Sequence, residues 1–145
     1  MTANNIITAV DQLKPNEYTT SQKLMWLTQI DRQLLVDIIL KHANTIAGTE
    51  PESPTAGDLW LDGSTLKRYS SGWDQVFPYA TSSAVLLFDE SAEEVYQWYL
   101  FTQIDLYNAE YIRYNNSSEM FNRAYADLER RYNRSTARPE YRFKL

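Results

Sequence analysis

The sequence predicts a mainly α fold: a small bundle of about four helices, a short antiparallel β-meander inserted into it, and an extended C-terminal tail. Three observations carry that prediction. Apolar residues recur at helical spacing on both sides of residues 50–80. Within 50–80 the pattern switches to short alternating runs between turn residues, and three of the four glycines fall there. Beyond Pro139 no period remains. The 145 residues suit one domain, since domains most often run to roughly 100–150 residues. We divide the chain into an N-terminal helical part (1–49), the insertion (50–80), a C-terminal helical part of the same domain (81–133) and the tail (134–145).

Ile6, Ile7, Val10 and Leu13 share one face of a first short helix, which Pro15 and Asn16 stop. Thr20 or Ser21 can cap the second. Its wide apolar stripe runs through Leu24, Leu27, Ile30, Leu34 and Ile38, which places Lys23, Asp31, Arg32, Asp37 and Lys41 mostly on the solvent face. In the insertion, Leu59 and Leu61 alternate with Asp58, Trp60 and Asp62. Asp62-Gly63 then signals a hairpin turn, Leu66 to Tyr69 a second strand, Ser71-Gly72 another turn and Trp73 onward a third strand. So small a sheet needs something to pack against.

Asp89 or Ser91 can cap a third helix whose first turn holds Glu90, Glu93 and Glu94. Aromatics then occur on nearly all its sides, including Tyr96, Trp98, Tyr99 and Tyr107; such a helix is either central or a subunit contact. Asn115 to Ser118 read as a break and a new cap, and Phe121, Tyr125, Leu128 and Tyr132 make the stripe of a fourth helix.

Composition narrows the function. Without cysteine there is no disulfide scaffold, thiolate metal site or thiol catalysis. No apolar run approaches the ~20 residues of a membrane span, and the N-terminus has no signal-peptide pattern. The single histidine, His42, reads as a surface or capping residue near the end of the second helix. The acids at 89–94 have a sufficient cause in the helix dipole, and no Gly-rich phosphate loop is present. We therefore expect no enzyme activity, cofactor or metal.

Charge is uneven: neutral over 1–49, -3 over 50–88, -6 over 89–119 and +4 over 120–145. Internal pairing and contact with charged neighbours both remain open. The tail interleaves Arg134, Arg138 and Arg142 with Tyr141 and Phe143. That pattern fits a docking arm for a partner protein, a nucleic-acid contact or a frayed terminus, and the acidic remainder favours the arm. The 14% aromatic content points to assembly, because Tyr and Trp are enriched at interface hot spots. The lateral-contact candidates are Tyr96 and Tyr99. In the insertion, Trp60, Tyr69 and Trp73 either stack on a ligand or form cross-strand pairs.

Two stretches carry a resemblance. One is AVDQLKPNEYTTSQKLMWLTQIDRQL, with Lys14-Pro15-Asn16, Lys23, Trp26-Leu27 and Ile30-Asp31. The other is YQWYLFTQIDLYNAEYIRYNNSSEMFNRAYADLERRYNR, with Ile104-Asp105, Glu110, Tyr114-Asn115-Asn116 and Phe121-Asn122. Together they resemble the head–tail connector (adaptor, head-completion) proteins of tailed bacteriophages. In that family a shorter link joins the helical halves. Here PTAGDLWLDGSTLKRYSSGWDQV is similar to small modules of phage tail and fibre proteins, and on that likeness it should project from the helical body. The resemblance implies a virion protein at the head–tail junction, made in the host cytoplasm. It would form a ring, expected to be a dodecamer, under the portal protein. The ring would extend the DNA channel without specific DNA binding and carry the next tail or connector protein. It implies no membrane association. The alternative is a virion accessory protein whose insertion binds a host sugar or receptor.

Overall fold

In the computed structural model, which describes residues 1–41 and 46–135, the first helix, α1 (Ala3–Leu13), begins with a capping box. Thr2 and Asn5 bond each other reciprocally there. Ile6, Ile7 and Val10 are buried as the spacing requires, but Leu13 is 69% exposed at the C-terminal end. Helix α2 (Thr20–Asp37) is capped one residue earlier than the sequence suggested. The Thr19 hydroxyl accepts the Gln22 N–H at 3.2 Å, and the Gln22 side chain accepts the Thr19 N–H at 3.0 Å.

The sheet consists of β1 (Leu59–Asp62), β2 (Thr65–Tyr69) and β3 (Trp73–Gln75), antiparallel in that order. Asp62 pairs with Thr65 across a two-residue loop, and Gly63 takes φ +64° at its first position. A left-handed backbone is natural for glycine there. The register puts Leu59, Leu61, Leu66 and Arg68 on one face, and Trp60, Lys67, Tyr69, Trp73 and Gln75 on the other.

The first of those faces is seated on the helices. Leu66 is buried, and Arg68 donates to the carbonyls of Val85 at 2.9 Å and Leu86 at 3.3 Å. The chain leaving β3 then enters the core: Val76, Phe77 and Tyr79 are all buried. The meander is therefore anchored on the helical body instead of standing clear of it, and Val76, Phe77 and Tyr79 of the insertion are part of that body's core.

Asp89 caps a short 3₁₀ turn that leads into α3 (Glu93–Tyr107). Helix α3 packs against α1, α2 and most extensively α4 (Tyr111–Ser135). It is the central helix, which explains its aromatics on all sides. The break between α3 and α4 lies at Asn108–Glu110 and not at Asn115–Ser118. Glu110 N–H donates to the Asp105 carbonyl at 2.9 Å and Ala109 N–H to Leu106 at 3.0 Å, with Ala109 at φ +58°. That is a Schellman cap carried by an alanine. Asn115 to Ser118 continue α4, because the Ser117 hydroxyl finds partners without leaving the helix. Helix α4 also runs through Arg134 to Ser135, two residues that the sequence reading assigned to the tail.

Candidate assembly surface

Two buried acids fix how the four helices meet. Asp31 on α2 has no exposed surface. Its carboxylate accepts the Tyr79 hydroxyl, the Tyr96 hydroxyl at 2.5 Å and the Leu87 N–H at 3.1 Å. Burial pushes its pKa up to about 6 against the pull of the Tyr79 and Tyr96 hydrogen bonds. Burial and the Asp31 charge together drive both tyrosines well above their ordinary range. Asp105 on α3 is 1% exposed and is held by Lys14, at the end of α1, and by the Ser117 hydroxyl of α4 at 2.8 Å. Lys14, Asp105 and Ser117 thus fasten α1, α3 and α4 at one buried point.

The solvent-face assignment of Asp31 and Lys23 is thus corrected. Both are buried, and Lys23 pairs with Asp11 at 2.8 Å. Tyr96 is corrected too. It is wholly buried, and its hydroxyl accepts Phe88 N–H at 3.2 Å besides donating to Asp31, so it offers nothing to a neighbouring subunit. Tyr99 is half-buried between α2 and α4, donating to Gln29 Oε1 at 3.2 Å with its ring 5.4 Å from Phe121. Trp60, Tyr69 and Trp73 lie together on the outward face of the sheet, half-buried by one another. Trp73 meets Trp60 at 5.4 Å and Tyr69 at 5.2 Å, both edge-on, and Lys67 Nζ sits 4.8 Å from the Trp60 ring centre. Cross-strand packing accounts for that trio.

Two exposed regions of unlike character lie at opposite ends of the bundle. One is the end where α4 leaves the bundle. Arg131 bonds Asp127 at 2.9 Å and the Ser91 carbonyl at 3.0 Å, Arg130 reaches the same Asp127 at 3.8 Å, and Arg134 is exposed. The acids Asp89, Glu90, Glu93 and Glu94 lie beside it at the start of α3. There the Ser91 hydroxyl and N–H hold the Asp89 carboxyl below its usual range. Arg138, Tyr141, Arg142 and Phe143, the other tail candidates, and His42 lie outside the described residues.

The other region is the opposite end, the α3–α4 corner. Leu106 is 40% exposed, Tyr107 61%, Tyr111 64% and Ile112 88%, and the Tyr107 ring rests against Tyr18 and Trp26. A separate hollow of about 570 Å³ is lined by Leu13, Phe101 and Arg113. The corner surface was missed, although its signal is present. Ile112 precedes Phe121 by nine residues, about 900° of helix, and so faces away from the buried stripe. Among the described residues no group of three or more His, Asp or Glu could hold a metal ion. No helix among them is long and apolar enough to cross a membrane. No family model, no curated protein and no solved structure matches the chain.

Proposed function

We propose that the chain is a structural virion protein, a head–tail connector that forms a ring under the portal, extends the DNA channel and joins the tail. One observation carries the reading: the two stretches with connector resemblance fold into one body, and their shared residues are its fastenings. Lys14, Lys23, Trp26, Ile30 and Asp31 from the first stretch, and Ile104 and Asp105 from the second, sit at the joins between helices. A ring also needs two unlike faces on each subunit. The charged end at Arg130–Arg134 and the apolar end at Leu106–Ile112 supply two unlike ends. Electron cryo-microscopy of the phage particle tests this. The expected result is a ring of helical hairpins directly beneath the portal; finding the protein only at a fibre or baseplate, or outside the particle, overturns it.

A further inference from the structure

Asp62-Gly63 is the only place in the chain where an aspartate or asparagine is followed by glycine. The pair builds the β1–β2 turn. It also sets a carboxyl group beside the least shielded kind of backbone amide. An Asp side chain can close on the nitrogen of the next residue to form a five-membered imide, and glycine there opposes the closure least because it has no Cβ. We propose that the Asp62–Gly63 bond is a site of spontaneous backbone isomerisation, with solvent water as the only reagent, and that the cross-strand contact with Lys67 restrains it. The inference is independent of the connector reading.

The bond lies where the reaction can run. Asp62 and Thr65 are the last paired residues of the β1–β2 ladder, so the Gly63 amide lies beyond its last rung. Asp62, Gly63 and Ser64 are exposed, and the space beside the Gly63 Cα is open. The next least crowded pairs, Asn108-Ala109 and Asn116-Ser117, keep the amide that would have to attack in a hydrogen bond. Ala109 N–H donates to the Leu106 carbonyl at 3.0 Å, and Ser117 lies inside α4, where the amides are committed to the helix ladder.

The Gly63 nitrogen attacks Cγ of the protonated Asp62 carboxyl. The N–Cγ bond forms as the Cγ–OH bond breaks, and the hydroxyl leaves as water with the proton from the Gly63 nitrogen. Water then opens the ring at either carbonyl. Opening at Cγ restores aspartate. Opening at the backbone carbonyl breaks its bond to the Gly63 nitrogen, so the chain now runs through Cβ and Cγ and the old carbonyl becomes a free carboxylate. Nothing is oxidised or reduced, and the mass is unchanged. The product carries one extra main-chain atom in the turn that sets the register of β1 against β2. One contact opposes closure. Lys67 Nζ meets Asp62 Oδ2 at 2.8 Å and lies 4.8 Å from the Trp60 ring centre, so the cation is held on two sides. The carboxyl must leave that partner before it can turn to the Gly63 nitrogen.

Ageing the full chain for weeks at neutral pH and physiological temperature tests this. Digestion should yield a peptide containing residue 62 with unchanged mass and shifted retention, which accepts a methyl group from an isoaspartyl methyltransferase. Lys67→Met keeps an unbranched stem against Trp60 and removes the tether, so the product should accumulate several-fold faster. Lys67→Arg keeps the cation and should age at the parent's rate, which separates loss of the tether from general loosening of the sheet. Asp62→Glu keeps the charge but needs a larger ring, and the product should vanish. The proposal fails if neither the parent nor Lys67→Met gives the product at residue 62, if the Met and Arg variants age at equal rates, or if Asp62→Glu still gives it.

Discussion

Asp31 lies mid-helix at a position that α2's stripe leaves to solvent, yet three donors from two other segments close over it. A period of 3.6 assigns faces only within one helix. The partners Tyr79 and Tyr96 arrive from 48 and 65 residues away, so the burial of Asp31 was not legible locally. Its raised pKa has a definite consequence. The folded value of about 6 exceeds the unfolded value near 3.8, so the folded state binds the extra proton. This group's contribution to stability is therefore fully present below pH 4 and is lost as pH rises through 6. A shift of about two units corresponds to roughly 3 kcal/mol. Asp31→Asn keeps the shape and removes the titration. In urea unfolding, the parent should gain stability relative to the variant by about that amount between pH 7.5 and pH 4. Parallel pH profiles for the two proteins would show that Asp31 does not titrate in this range.

At the scale of the element, the helix stripes and hairpin turns were open to reading, because each is decided within a few residues. Ile6 and Val10 are buried, Leu128 is buried in α4, and Gly63 takes the left-handed turn that Asp62-Gly63 announces. The α3–α4 boundary was hidden because the cap lacks its usual mark. Ala109 occupies the left-handed position where glycine ordinarily stands, while Asn115 to Ser118 imitate a turn inside a continuous helix. A left-handed alanine costs about 1–2 kcal/mol, partly offset by the greater freedom of glycine in the unfolded chain. Ala109→Gly should therefore stabilise the protein by about 0.5–1 kcal/mol, raising the urea midpoint without changing the slope. An unchanged or lowered midpoint would mean that the Schellman cap is not formed in solution.

Across the whole molecule, the question is whether the meander and the helices make one cooperative unit. The inner sheet face is fixed to the body by Leu66 and by Arg68, which holds two carbonyls of the segment running along α1. The deeper connection is the strand exit. Val76, Phe77 and Tyr79 are core residues, and Tyr79 also anchors to Thr28 through its N–H at 3.0 Å and to Asp31 through its hydroxyl. Two excisions separate these contributions. Replacing residues 54–74 by a short linker removes Leu66 and the Arg68 bonds, a loss on the scale of the ~2–5 kcal/mol of one large core truncation. Helical circular dichroism should survive, with a lower melting temperature. Replacing residues 54–80 also removes Phe77 and Tyr79, at ~3–5 kcal/mol each, and strips the Tyr79 hydroxyl, one of three donors, from Asp31. That total reaches the 5–15 kcal/mol that holds a whole domain of ordinary stability, so the helical signal should collapse at room temperature. Equal helicity in the two proteins would show that the helices stand without the strand exit, and that the boundary of the insertion belongs at residue 80 after all.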